Sequence, residues 1–179
     1  IGHGLGVPPQ LIITKSRDDT ANWSVYHESL GASKWLTLNS TAAEAGPFSN
    51  PSTVWYNTDP TSTVFYVGNL NETNGSNNYI AYCFADADNL VKTGSYIGNG
   101  STSGTYVDLG FSPSMIMVKR ASGGTGGWIM LDKARHPANP NDTRLEAQSS
   151  YQDFTIGGIN FLTDGFELAT NNAEWNASG

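Results

Sequence analysis

One stretch of this chain occurs twice. Residues 6–15 read GVPPQLIITK and residues 110–119 read GFSPSMIMVK, with Gly6 and Gly110, Pro9 and Pro113, and Lys15 and Lys119 each 104 positions apart. In both copies a proline that fixes φ and a lysine enclose four apolar-leaning residues, Leu11 to Thr14 or Met115 to Val118, which predicts a short strand between two stop signals. The likeness continues through a polar, turn-forming run (17–22; 121–127) to Trp23 and Trp128. A second short strand follows in each, at Ser24, Val25 and Tyr26 and at Ile129, Met130 and Leu131. An internally duplicated β-hairpin is the simplest account, and repeats dictate architecture before any single motif does. The expectation is one all-β domain, a β-sandwich of two duplicated halves at about 1–92 and 93–179, with a common interior, long polar loops and little or no helix.

Composition agrees with an all-β reading. Only 14% of the 179 residues are charged, against about 25% in ordinary soluble domains. Gly, Asn, Ser and Thr take the place of the missing charges, and β-branched and aromatic residues are plentiful, which favours strands joined by many turns. Nine basic residues face 16 acidic ones for a net charge of −7. A phosphate backbone or an anionic bilayer would be repelled by that balance, so neither nucleic-acid binding nor membrane insertion is expected. The single cysteine, Cys83, cannot form an intrachain disulfide and reads as a small core residue.

Taken in order, residues 34–38 form a strand with Leu36 and Leu38 inward, and residues 39–60 make a long surface excursion broken by Val54, Trp55 and Tyr56. Residues 61–68 (TSTVFYVG) read as a strand. Residues 79–85 (YIAYCFA), the most apolar segment, read as a central strand covered on both faces. Further strands are expected at 95–97 and 105–107, with a hairpin over 160–169 on the Asp164-Gly165 turn. Phe166 corresponds to Phe65 at an offset of 101, and Asn176-Ala-Ser-Gly to Asn74-Gly-Ser-Asn at 102. In the first copy that turn leads into residues 79–85; in the second the sequence stops at Gly179. Two expectations follow: the chain is an excerpt of a longer one, which is favoured, or another chain completes the sheet.

The segments GHGLGVPPQLIITK, WSVYHESLG, PTSTVF, YIAYCFA, GSYIGNGS and NFLTDGFELATNN together resemble a repeated module of tail fibres and related virion structural proteins of marine tailed bacteriophages. The resemblance spans nearly the whole chain. It implies a sandwich similar to the concanavalin-like or SPRY-like folds, a virion-surface or extracellular setting, and a short apolar strand after the final Asn-Ala-Ser-Gly. It carries no catalytic residues.

The search for chemistry in the residues themselves yields little that converges. His3, His27 and His136 are scattered, and no Gly-x-Ser-x-Gly nucleophile motif occurs. Glu28, Asp132, Asp164 and Glu167 would be the carboxylates of a glycan hydrolase, but such residues occur in any acidic β-protein. Asp86, Asp88 and Asn89 place three oxygen ligands in four residues, a set that Ca2+ would accept, although the Gly and distal Glu of an EF-hand loop are missing. The competing reading is a polar turn after a core strand. Seven Asn-x-Ser/Thr sequons, at Asn22, Asn39, Asn71, Asn74, Asn99, Asn141 and Asn176, read mainly as turn chemistry. Trp35, Trp55, Tyr56 and Trp175 lie in polar, loop-rich sequence and could stack on sugar rings, unless each pins a loop to the sandwich. Trp23 and Trp128, at matched positions, are expected in the core.

These readings combine into an expectation of a non-enzymatic virion module, a tail fibre or surface decoration. Its loops would attach to a host-surface glycan or protein, and it would act by avidity as a homo-oligomer or with other virion proteins. Its rivals are a purely structural capsid or filament subunit and a carbohydrate-active enzyme.

Overall fold

Alternation fixes the first hairpin. In the computed structural model, which describes residues 1–48 and 53–179, strand β1 (Leu11–Ser16) buries Ile12, Thr14 and Ser16 and turns Leu11, Ile13 and Lys15 the other way. It pairs antiparallel with β2 (Ser24–His27), Ile12 opposite Tyr26 and Ile13 opposite Val25. The second copy repeats this arrangement. β6 (Met115–Lys119) buries Ile116 and Val118, and pairs with β7 (Trp128–Asp132), Ile116 opposite Leu131 and Met117 opposite Met130. Matching residues on the leading strand lie 104 apart and on the returning strand 105 apart, so one extra turn residue is absorbed without changing the register. A slip of one would have inverted every side chain.

The chain divides into two compact units, residues 1–39 with 44–94, and residues 40–43 with 95–179. The first holds a four-stranded antiparallel sheet in the order β3-β2-β1-β4, where β3 is Leu36–Thr37 and β4 is Tyr79–Phe84. Its buried cluster is Ile12, Tyr26, Ala32, Val54, Trp55 and Phe65. The second holds a six-stranded sheet, β5-β10-β9-β8-β7-β6, with β5 at Tyr106–Asp108, β8 at Asn141–Glu146, β9 at Phe154–Phe161 and β10 at Gly165–Leu168. Its own cluster includes Ile116, Ile129, Leu131, Ile159, Leu168 and Trp175. The molecule is nearly all β, as expected; its only regular helices are α1 (Asn71–Asn74) and α2 (Ala173–Asn176), one turn each, among the described residues.

Those two helices extend the duplication. They lie 102 residues apart, and the last residue of each clamps the preceding chain: Asn74 Nδ2 donates to the Gly68 carbonyl at 2.7 Å and Asn176 Nδ2 to the Thr170 carbonyl at 2.5 Å. The repeated lysine has an equally local task. Lys15 Nζ donates to the carbonyls of Ser16 and Asp19 at 2.6 and 2.7 Å, and Lys119 Nζ to those of Arg120 and Gly126 at 2.8 and 3.0 Å. In both copies an ammonium ties the hairpin turn to the strand before it. The repeated glycine is likewise conformational, since Gly6 and Gly110 have φ of 78° and 77°, where a side chain would be strained.

Several sequence expectations are corrected. β4 is an edge strand, not a central one, and Ile80, Tyr82 and Phe84 point outward; Cys83 is only half-buried, against the first cluster. Apolar content alone does not distinguish a covered strand from an edge strand with one apolar face turned to solvent. Residues 61–68 do not form a regular strand. The Thr61 hydroxyl accepts from the Val64 amide and closes a turn, leaving Val64 in an isolated bridge with Gly2. Residues 95–97 are irregular. Leu38 and Trp23 are half-buried, whereas Leu36 and Trp128 are buried. Residues 49–52 of the long polar excursion lie outside the described residues. β8 was missed because its buried side chains are Asn141 and Arg144, polar groups that give no apolar alternation.

Candidate functional site

The four aromatics read as ligand contacts separate into two kinds. Trp55 is 1% exposed and sets its ring edge against Tyr26 at a centroid distance of 5.9 Å. Trp175, on α2, is 3% exposed and belongs to the second unit's cluster. Neither presents a face to a ligand, which corrects the expectation for both. The backbone explains why Trp55 turns in: the carbonyl of its neighbour Val54 accepts from the Gly68 amide and the Thr73 hydroxyl, holding the segment against the core. Trp35 is half-buried beside exposed Phe48, the rings 5.2 Å apart. Tyr56 reaches solvent at the apex of a turn, where it and Asn57 have positive φ. A polar neighbourhood in sequence carries no information about which way an indole points.

The oxygen-rich turn after β4 is held by internal bonds. Asp86 Oδ2 lies 2.7 Å from Lys92 Nζ, and Oδ1 accepts from the amide and hydroxyl of Thr93, both at 2.8 Å. Burial opposes ionisation of this carboxyl, but the Lys92 ammonium and the Thr93 donors outweigh it and hold the pKa below the ordinary carboxylate range. Ala87 and Val91 bridge across the turn and Asn89 occupies the left-handed region. Among the described residues no three His, Cys, Asp or Glu side chains converge as a metal would require. Asp86, Asp88 and Asn89 thus sit on a turn whose first carboxylate is already engaged.

The remaining reactive side chains also serve local structure. Asp132 accepts from Arg135 Nε at 2.6 Å and from its amide, contacts that lower its pKa. His27 Nδ1 accepts from the Ser29 amide, and its pKa is drawn down by burial against the pull of Glu28 and Asp86. His136 Nδ1 lies 2.9 Å from the Thr143 hydroxyl. Arg144, almost fully buried, brings Nη2 within 2.8 Å of both Glu146 and Glu174 and lies over the Phe154 ring. Of the sequon residues, Asn141 and Asn176 are wholly buried, and Asn22 and Asn39 bond each other. The positive-φ asparagines, Asn57 and Asn89, lie outside the sequons.

What the sequence reading overlooked is the outer face of the β1–β4 pair. Ile80, Tyr82 and Phe84 alternate along β4 on the side away from the buried cluster, at 39%, 44% and 40% exposure. The register sets Tyr82 beside Ile13 and Phe84 beside Leu11, so two strands share one apolar face. In the second unit the matching positions are Met115 and Met117, also exposed. Contiguous exposed apolar surface marks an interaction site more often than scattered residues do. The signal was present in the alternation of residues 80, 82 and 84, but assigning β4 to the interior concealed it.

A family model described as a domain of unknown function (DUF7483) matches residues 1–179, and the chain belongs to that family. No curated protein and no solved structure matches it.

Proposed function

We propose that this chain is a non-enzymatic structural module of a larger extracellular particle, the setting its resemblance to tail-fibre modules implies, and that it works by self-association through the outer face of β1 and β4. The observation that carries this reading is the row of Ile80, Tyr82 and Phe84 lying outward beside Leu11 and Ile13. A second copy is the partner, because each chain carries apolar outer rows of this kind in both units and copies of one surface can pair about a symmetry axis. The engagement of Asp86, Asp132 and Arg144 in internal contacts favours structure over chemistry. The glycan-attachment reading retains half-buried Trp35 and exposed Tyr56, having lost Trp55 and Trp175 to the interior.

Sedimentation over a range of concentrations tests the proposal. The unaltered chain should associate, and Tyr82→Lys with Phe84→Lys should remain monomeric with an unchanged circular dichroism spectrum. A chain that stays monomeric, or association indifferent to both lysines, overturns the reading. Glycan-array binding that survives the double substitution would favour attachment through Trp35 and Tyr56.

A further inference from the structure

The internal duplication supplies a template for a position in the second unit. β1 is paired on both sides, by β2 and by β4, whose register runs from Leu11 opposite Phe84 to Ser16 opposite Tyr79. β6, its counterpart, ends its sheet, and among the described residues only β7 pairs with it. The helix and clamp that lead into β4 have matches in the second unit, although Asp18 and Gln10, whose side chains hold Asn78 and Asp86 at the two ends of β4, are replaced by Ser122 and Ser114. α1 and α2 correspond, their terminal asparagines make the same clamp six residues back, and the turn that leaves each helix begins with Asn74-Gly-Ser or Asn176-Ala-Ser.

The β6 edge also lacks the devices that keep an edge solitary. Edge strands are ordinarily blunted by proline, by charge or by brevity. β6 has five residues, no proline and one charge, and that charge, Lys119, is turned onto the carbonyls of Arg120, Gly126 and Thr41. Met115 and Met117 project beside the unpaired backbone, 55% and 39% exposed. β3, by contrast, ends the first unit's sheet with only two residues.

We propose that the free edge of β6 is a strand-acceptor site, and that its occupant is an antiparallel strand of β4's aliphatic and aromatic composition, set on that edge as β4 is set on β1. Backbone hydrogen bonds would supply affinity, and alternate side chains would continue the faces of Ile116 and Val118 and of Met115 and Met117. The duplication fixes direction and register: the last residue of a six-residue strand lies opposite Met115. The site is separate from the β4 face invoked above and does not depend on that reading.

Amide hydrogen exchange provides the test. The 179-residue chain is compared with one in which a copy of residues 78–84 is joined after Gly179, restoring the spacing between α1 and β4. The outward-facing amides of β6 should exchange at least about tenfold more slowly in the extended chain, while β1 amides are unchanged and report that the frame is folded. A shuffled extension containing two prolines should slow nothing. As a second measurement, the free peptide of residues 78–84 added to the unaltered chain should slow the same amides in proportion to its concentration. Equal exchange with the true and shuffled extensions, or no effect in either format, overturns the proposal. Protection of β6 in the unaltered chain that grows with its own concentration overturns it too, by assigning the edge to a second copy.

Discussion

The two units contain the same hairpin and use it differently. β1 lies inside a four-stranded sheet and β6 at the end of a six-stranded one, yet both bury the same alternate residues, keep the same register, tie their turns with a lysine and answer to a one-turn helix ending in a clamping asparagine. What was retained is a frame of backbone geometry. What diverged is the filling: the first unit closes its interior with Trp55 against Tyr26, whereas the second brings Arg144 into a buried contact with Glu146 and, across to α2, with Glu174. A frame held by turns and clamps tolerates different interiors, provided each is internally satisfied.

The sharpest way to break the comparison is through that buried arginine, for which the first unit has no buried charged counterpart among the described residues. Arg144→Met should cost the second unit about 3 kcal/mol, because the largely buried Glu146 carboxylate loses its partner, while Glu174, at 35% side-chain exposure, keeps its access to water. Faster amide exchange in β8 and β9 than in the unaltered chain is the measurement. Exchange that is unchanged would show the guanidinium to be incidental.

The matched asparagines give a smaller and more discriminating effect. Asn176 is wholly buried, and its side chain also donates to the Ser101 carbonyl at 2.8 Å and accepts from the Asn99 amide at 2.9 Å; exposed Asn74 makes only the common clamp among the bonds described. Asn176→Ala should therefore cost about 2–3 kcal/mol and Asn74→Ala about 1 kcal/mol in urea denaturation. Equal losses would mean that the clamp, and not the additional bonds of the second copy, dominates.

A further effect is one of pH. Burial, helped by the neighbouring Arg120 charge, draws the pKa of Lys119 down to about 8. The unfolded chain keeps that proton to about pH 10.4. Between those values the unfolded state binds more protons, so this group makes stability rise with pH across the window and contributes no pH dependence below it. Lys119→Met should abolish the rise, as read by thermal melts from pH 7 to 10, while also loosening the turn it ties.

Much of this was legible beforehand at particular residues. The matched Gly6 and Gly110, Pro9 and Pro113, and Lys15 and Lys119 revealed the hairpin and its period, while its buried face, Ile12 and Ile116, came from the structure. The asparagines at 74 and 176 aligned two helices that no periodicity could have shown, each being a single turn. The candidate surface was less legible. Trp55 and Trp175 stand among polar neighbours and point inward, while residues 79–85 look like interior and turn three side chains out.

The sequence by itself determined the local and periodic properties of this protein: strand alternation, turn chemistry, the all-β class and the duplication, because each depends on residues close in the chain or on a repeat that can be counted. Only the tertiary structure decided which strands are edges, which aromatics face solvent, and that Asn141 and Arg144 anchor a strand with no apolar signature. Those properties depend on what lies across the sheet, and a neighbour brought in from dozens of residues away leaves no mark on the segment it covers.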